Sequence, residues 1–254
     1  MKQALSDTVL SDDAMLHQYA PYFGHARLVR AIATMYSPLH GRRLNADNIT
    51  VTCGAFCALS ACITACEDPG DEVLVVEPYY DEMTHMAGGT PIFVPMRPQK
   101  QQQQQGGETA TTSGDWKIDA DELERCCGPK TKMLILNSPN NHVGKVFDGD
   151  ELRMLADVAR RRDLVVVSDE VYEWLTFDTR SHVRVAGHVA THAQHQQQRQ
   201  DVQRDGVEDG GLGHRLQHLH GSCQVGAWNL YWYRSHSSSG SDCYWVGARA
   251  DEVE

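Results

Sequence analysis

Residues 164–172 read Leu-Val-Val-Val-Ser-Asp-Glu-Val-Tyr, a β-branched run that closes on the carboxylate of Asp169 with the phenol of Tyr172 three residues on. A strand this uninterrupted in apolar content has no polar face to show water, so it requires a sheet covered on both sides. Similar runs recur at 49–52, 72–76, 91–95 and 133–136. Helical patterns lie between them. Residues 150–161 place Leu152, Leu155, Ala156 and Ala159 on one stripe and open with acidic residues; 119–127 and 28–36 read the same way. Strand alternating with helix predicts an α/β fold, a three-layer α/β/α sandwich.

The chain has 254 residues and is 41% hydrophobic, enough for a sizeable core. Its formal net charge of −11 repels phosphate backbones at long range, so no nucleic-acid partner is expected. No apolar run approaches the roughly 18 to 20 residues of a membrane span, and the first residues lack a secretory apolar stretch. The expectation is a soluble, cytoplasmic protein with no membrane partner. Arg160, Arg161 and Arg162 fit the solvated last turn of a helix. Cys53, Cys57, Cys62 and Cys66 recur at helical intervals in an alanine-rich stretch, which reads as close helix packing. Paired C-x-x-C and interleaved histidines are missing there, so no metal is expected. Cys126 and Cys127 close a helix and read as structural.

Composition changes twice. Residues 98–114 hold the glutamine run 101–105 followed by glycines and threonines, and read as a disordered surface insertion. Residues 187–254 contain no lysine, seven of the thirteen histidines and no sustained period, and read as a disordered, non-homologous tail. Trp228, Trp232 and Trp245 are unusual for such a tail.

Residues 137–147 read Asn-Ser-Pro-Asn-Asn-His-Val-Gly-Lys-Val-Phe. With the strand ending at Asp169, this segment resembles the class I/II pyridoxal-phosphate-dependent aminotransferases of fold type I, in particular the kynurenine aminotransferase and cysteine-conjugate β-lyase branch. The resemblance runs from about Leu16 to about Ala186, so residues 1–186 would be a partial large domain. It implies pyridoxal 5'-phosphate as cofactor, amino-acid and 2-oxo-acid substrates, transamination as the reaction, and a homodimer. Because the N-terminal arm is short relative to the family, a mitochondrial address stays open beside the cytoplasmic one.

By the same resemblance, Asp169 faces the cofactor's pyridine nitrogen, and Tyr172 and Asn141 face its phenolic oxygen. Ala55 and Phe56, at the turn into the helix after residues 51–54, offer backbone amides to the phosphate. Tyr80 stacks on the ring, and Tyr19 reaches the partner subunit's phosphate. Three of these have a plainer alternative. Asp169 could be an N-cap, Asn141 part of an ordinary Asn/Gly turn, and Tyr80 core packing. His142 stands where the family's loop has proline, which removes a fixed backbone angle.

The family needs a later lysine as Schiff-base nucleophile and proton shuttle, and the last lysine here is Lys145. No catalytic residue is therefore assigned. Read one base out of frame, suitable synonymous codons for residues 197–208 spell Ser-Ser-Gly-Lys-Thr-Phe-Ser-Val-Thr-Gly-Trp-Lys, a segment of the family's type. A frameshift just after Ala186 is the expectation. Two rivals belong to other classes: a non-catalytic interaction protein, whose tail would use His214, His218 and His220 as weakly spaced metal ligands, and a dinucleotide-binding oxidoreductase. No Gly-x-Gly-x-x-Gly follows an early strand, which sets the latter back.

Overall fold

Strands buried on both faces sort their side chains alternately into two cores, and this alternation organises the molecule. The computed structural model describes residues 2–79, 83–99, 112–186, 230–234 and 244–245, the last two groups as backbone. Its helices are α1 (Lys2–Val9), α2 (Ala26–Leu39), α3 (Ala55–Cys66), α4 (Met83–Ala87), α5 (Ala120–Cys126) and α6 (Gly149–Arg161). Its strands are β1 (Ile49–Thr50), β2 (Glu72–Glu77), β3 (Thr90–Pro95), β4 (Arg97–Pro98), β5 (Trp116–Lys117), β6 (Thr131–Asn137), β7 (Val165–Asp169), β8 (Leu230–Arg234) and β9 (Tyr244–Trp245). The main sheet has the order β3-β2-β6-β7-β8, with the first four strands parallel.

On one face, Leu74, Val76, Leu134, Leu136 and Val166 meet Leu152, Leu155 and Val158 of α6 and Leu123 of α5. On the other, Val73, Val75, Met133, Ile135 and Val167 meet Ala58, Leu59, Cys62 and Ile63 of α3. The three-layer α/β arrangement is therefore observed. A third cluster joins Val29, Ile32 and Tyr36 of α2 to Leu44, Ile49 and Ala186. Helix α6 starts with a capping box in which Asp148 and Glu151 satisfy each other's backbone amides. Its last turn carries Arg160 and Arg161, as expected, and Arg161 and Arg162 also pair with Glu124 of α5.

Several expectations need correction. The run at 49–52 is a strand only over Ile49–Thr50, and it pairs with β9 outside the main sheet. The insertion is pinned at both ends, because Arg97 and Pro98 pair with Lys117 and Trp116, and Gln99 N–H donates to Asp115 O at 2.8 Å. Residues 100–111 lie outside the described residues. The four cysteines at 53–66 do not share one packed face: Cys62 is buried, while Cys57 of α3 and Cys53 before it are exposed. From the tail, expected to lack periodic structure, β8 pairs antiparallel with β7 along its whole length. Residues 187–229, with the frameshift segment and His214, His218 and His220, lie outside the described residues. Among the described residues no helix is long and apolar enough to cross a membrane.

Candidate active site

The carboxyl ends of parallel strands open into loops, and the site is built from the loops after β6 and β7 together with the start of α3. Asp169 ends β7 and is only partly exposed. Burial pushes its carboxyl up to about 7, against hydrogen bonds from the Val171 N–H and Tyr79 that favour ionisation; the neighbouring Glu170 adds to the rise. The Val171 bond, to Oδ1 at 3.2 Å, is the capping contact of the plainer alternative. It closes a turn, however, not a helix. Tyr172 accordingly sits in the turn at 171–174.

The loop after β6 is organised by asparagine side chains. Asn140 Oδ1 accepts from His142 N–H at 3.0 Å and Val143 N–H at 3.1 Å, while its Nδ2 donates to Pro78 O at 3.0 Å. Proline at 142 could not donate the first of these bonds, so a side-chain hydrogen bond does here what a fixed φ would do otherwise. Asn137 Oδ1 accepts the Asn141 N–H at 2.7 Å, and Tyr172 Oη donates to Asn141 Oδ1 at 3.4 Å, the long end of the range. Asn141 and Tyr172 are thus brought together, with Asp169 beside them through the backbone. A cleft of about 530 Å³ lies alongside, lined by Asn140, Asn141, Tyr172 and Arg180 among others. It reaches neither Asp169 nor α3, so it flanks the site without containing it.

Helix α3 begins at Ala55 after Gly54, with no side-chain cap, and its first backbone bond runs from Ala58 N–H to Gly54 O at 3.1 Å. The amides of Ala55 and Phe56 therefore have no acceptor within the helix, as an anion site requires. Just before it, Val51 N–H donates to Phe23 O at 3.0 Å, which ties the segment carrying Tyr19 to this corner. Tyr19 is wholly exposed and Tyr22 nearly so. Tyr80 lies outside the described residues.

Lys145 is buried, donates to Glu151 Oε1 at 2.8 Å and lies 5.4 Å from the centre of the Phe147 ring. It is a structural cation and faces α6. Behind Asp169, the buried Glu170 accepts from Ser168 Oγ at 2.9 Å, His182 Nε2 at 2.8 Å and Arg184 at 3.1 Å. Burial alone would raise this carboxyl; the His182 and Arg184 contacts outweigh it and hold it low. Glu173 joins the network through Tyr36, whose hydroxyl donates at 2.7 Å, and through Arg184. Glu170, Glu173 and His182 approach one another closely enough for a metal ion. Arg184 already donates to both carboxylates, which makes the cluster a closed ion network.

The sequence reading missed Tyr79, Asn137, Asn140 and the Glu170 network. Three asparagines within five residues of a strand end were the available signal for two of them. Among the described residues Asp169 forms no ion pair. A largely buried carboxylate whose affinity for a proton is raised fits a cationic heterocycle, and the uncapped start of α3 fits a phosphate.

Comparison with known proteins agrees. Residues 1–202 match the model of the aminotransferase class I and II family, extending past the limits of about Leu16 and Ala186 expected from sequence. The chain is 41% identical over 180 residues to kynurenine–oxoglutarate transaminase 1 of Rattus norvegicus, which covers 69% of this chain and 42% of that protein. Bna3p of Saccharomyces cerevisiae superposes with a TM-score of 0.66 at 34% identity, over 74% of this chain and 43% of that one. The N-succinyldiaminopimelate aminotransferase of Mycobacterium tuberculosis gives 0.63 at 36%, over 73% and 45%. The chain therefore spans about two fifths of the length of the curated relatives it matches. With the sheet order, the placement of Asp169 and a family match over most of its residues in agreement, the chain belongs to the class I and II aminotransferases.

Proposed function

We propose that this site is built to hold pyridoxal 5'-phosphate, the cofactor the family implies, and that the protein it represents transaminates amino acids against 2-oxo acids. Kynurenine and glutamine are the expected amino donors, and elimination from cysteine S-conjugates is a second outcome of the same chemistry. Asp169, a largely buried carboxylate that meets no cationic side chain among the described residues, is the observation that supports this most. When bound, the cofactor supplies an electron-withdrawing ring that accepts the electron pair left as an amino acid's α-carbon loses its proton. Asp169 would hold the protonated ring nitrogen by charge. Asn141 and Tyr172 would orient the opposite edge, and the amides of Ala55 and Phe56 would receive the phosphate. Tyr19 would complete that phosphate site across a homodimer.

Anchoring and proton transfer are the roles left unfilled in these 254 residues. No lysine follows Lys145, and Lys145 itself is engaged by Glu151. These 254 residues should therefore bind cofactor weakly and without turnover, with a frame change just after Ala186 as the cause. Residues 1–186 would then be the inherited part and 187–254 the out-of-frame remainder. Treatment with pyridoxal phosphate and borohydride, followed by peptide mapping, is the test. Reduction onto one defined lysine in stoichiometric yield would contradict the reading. Sequencing the transcript across codons 185–187 tests the frame. A second reading, a non-catalytic interaction protein, draws on one observation: strand β8 of the tail pairs with β7. Protection of residues 230–234 from proteases would favour it, and cleavage throughout the tail would not.

A further inference from the structure

The geometry points to Asn137 as a positioning residue that sets Asp169 and Asn141 relative to each other through one carboxamide. Asn137 closes β6, is almost wholly buried and stands opposite Asp169 in the β6–β7 register. Its Nδ2 donates to the Asp169 carbonyl oxygen at 3.1 Å, and its Oδ1 accepts the Asn141 N–H at 2.7 Å. Turning the amide over would set oxygen against oxygen and N–H against N–H, so its orientation is fixed by its partners. The Ser138 N–H adds a second donor to the same Asp169 carbonyl at 3.0 Å.

This inference rests on the cofactor reading and adds to it what sets the spacing of the site. Asp169 and Asn141 are assigned to opposite edges of one aromatic ring, so their separation must match that ring's width. Residues 138–148 contain no helix or strand, and a loop of that kind has no ladder of its own to hold Asn141 in place. Asn137 belongs to the sheet and touches both residues. A packing role would need only its volume; these two bonds need a donor and an acceptor on one planar group.

Two variants of the full chain separate those roles. Asn137→Asp is isosteric and keeps the acceptor but loses the donor; Asn137→Leu keeps the approximate volume and loses both. The probe is pyridoxamine 5'-phosphate, which needs no lysine to bind, with inorganic phosphate as the control that reads the α3 corner alone. Binding is followed by fluorescence, and the protonation of the bound ring by the ¹⁵N shift of a labelled ring nitrogen. Both variants should bind pyridoxamine phosphate about 10-fold to 100-fold more weakly, as expected for one buried partner left unsatisfied. Phosphate binding should be unchanged, and in Asn137→Leu, which brings in no charge, the bound ring should lose its proton at lower pH. Variants that bind and titrate like the wild type would overturn the role of Asn137 alone, as would equal losses for both ligands. A wild-type chain that binds phosphate but not pyridoxamine phosphate would instead overturn the cofactor reading, and with it the purpose assigned to Asn137. Should Asn137→Leu fail to fold by circular dichroism, Asn137→Asp carries the comparison.

Discussion

Replacing Asp169 by asparagine should stabilise the cofactor-free chain at alkaline pH while changing it little in acid. The carboxyl's rise from 3.8 to about 7, caused chiefly by burial, corresponds to at most about 4 kcal/mol favouring the protonated form in the folded state. The folded chain binds the proton more tightly than the unfolded chain. The contribution is therefore full below about pH 4, is lost as pH rises to about 7, and is flat above. Asparagine keeps an oxygen for the Val171 N–H and has no charge to desolvate. Urea unfolding of both proteins at pH 5 and pH 8 isolates the effect, because all other titrating groups cancel in the difference. The variant's advantage should be about 2.5 kcal/mol larger at pH 8 than at pH 5. Saturating pyridoxamine 5'-phosphate should shrink or reverse the gap at pH 8, since a cationic ring nitrogen would meet the wild-type carboxylate. An equal difference at both pH values would refute the claim that Asp169 is the costly buried charge of this fold.

Arg184→Met should destabilise by about 3 to 5 kcal/mol, because it leaves Glu170 and Glu173 facing each other without their shared cation; a loss under 1 kcal/mol in urea unfolding would mean that the network is solvated. Gly24→Ala should cost about 2 to 3 kcal/mol: Gly24 has a φ of 105°, and an added Cβ would lie 2.7 Å from that of Val51. A midpoint unchanged in urea would show that this turn relaxes freely. Lys145→Met should cost only about 1 kcal/mol, since Glu151 keeps Lys117 at 2.8 Å and the unbranched apolar chain of methionine still packs beside Phe147. Its borohydride labelling by pyridoxal phosphate should match the wild type; loss of a labelled peptide would make Lys145 the anchor after all.

The sheet was legible because burial on both faces leaves a local trace: Val73 to Val76 and Met133 to Leu136 have no polar residue to spare. Asp169 was legible for the complementary reason, since a carboxylate at the end of such a run has nowhere inexpensive to go. The phase of α3 was less so. An interval of four residues from Cys53 to Cys57 suggested one packed face, but Cys53 precedes the helix, and Cys57 points away from the stripe of Ala58, Leu59, Cys62 and Ile63. Spacing alone does not fix where a helix begins.

Contacts between distant segments left no such trace. Glu170 is held by His182 and Arg184 from twelve and fourteen residues downstream, and Glu173 by Tyr36 from far upstream. These partners come from α2, from the turn after β7 and from the segment reaching Ala186, the point where the sequence changes character. The ion network therefore fastens the segment ending at Ala186 onto the strand end that carries Asp169. If the frame does change just after Ala186, the break falls beyond the final residues needed to close this buried cluster. Such a break would leave the sheet and the polar face of the site supported from behind while removing the anchor in front, so a chain folded over 1–186 without turnover is the physical outcome to expect.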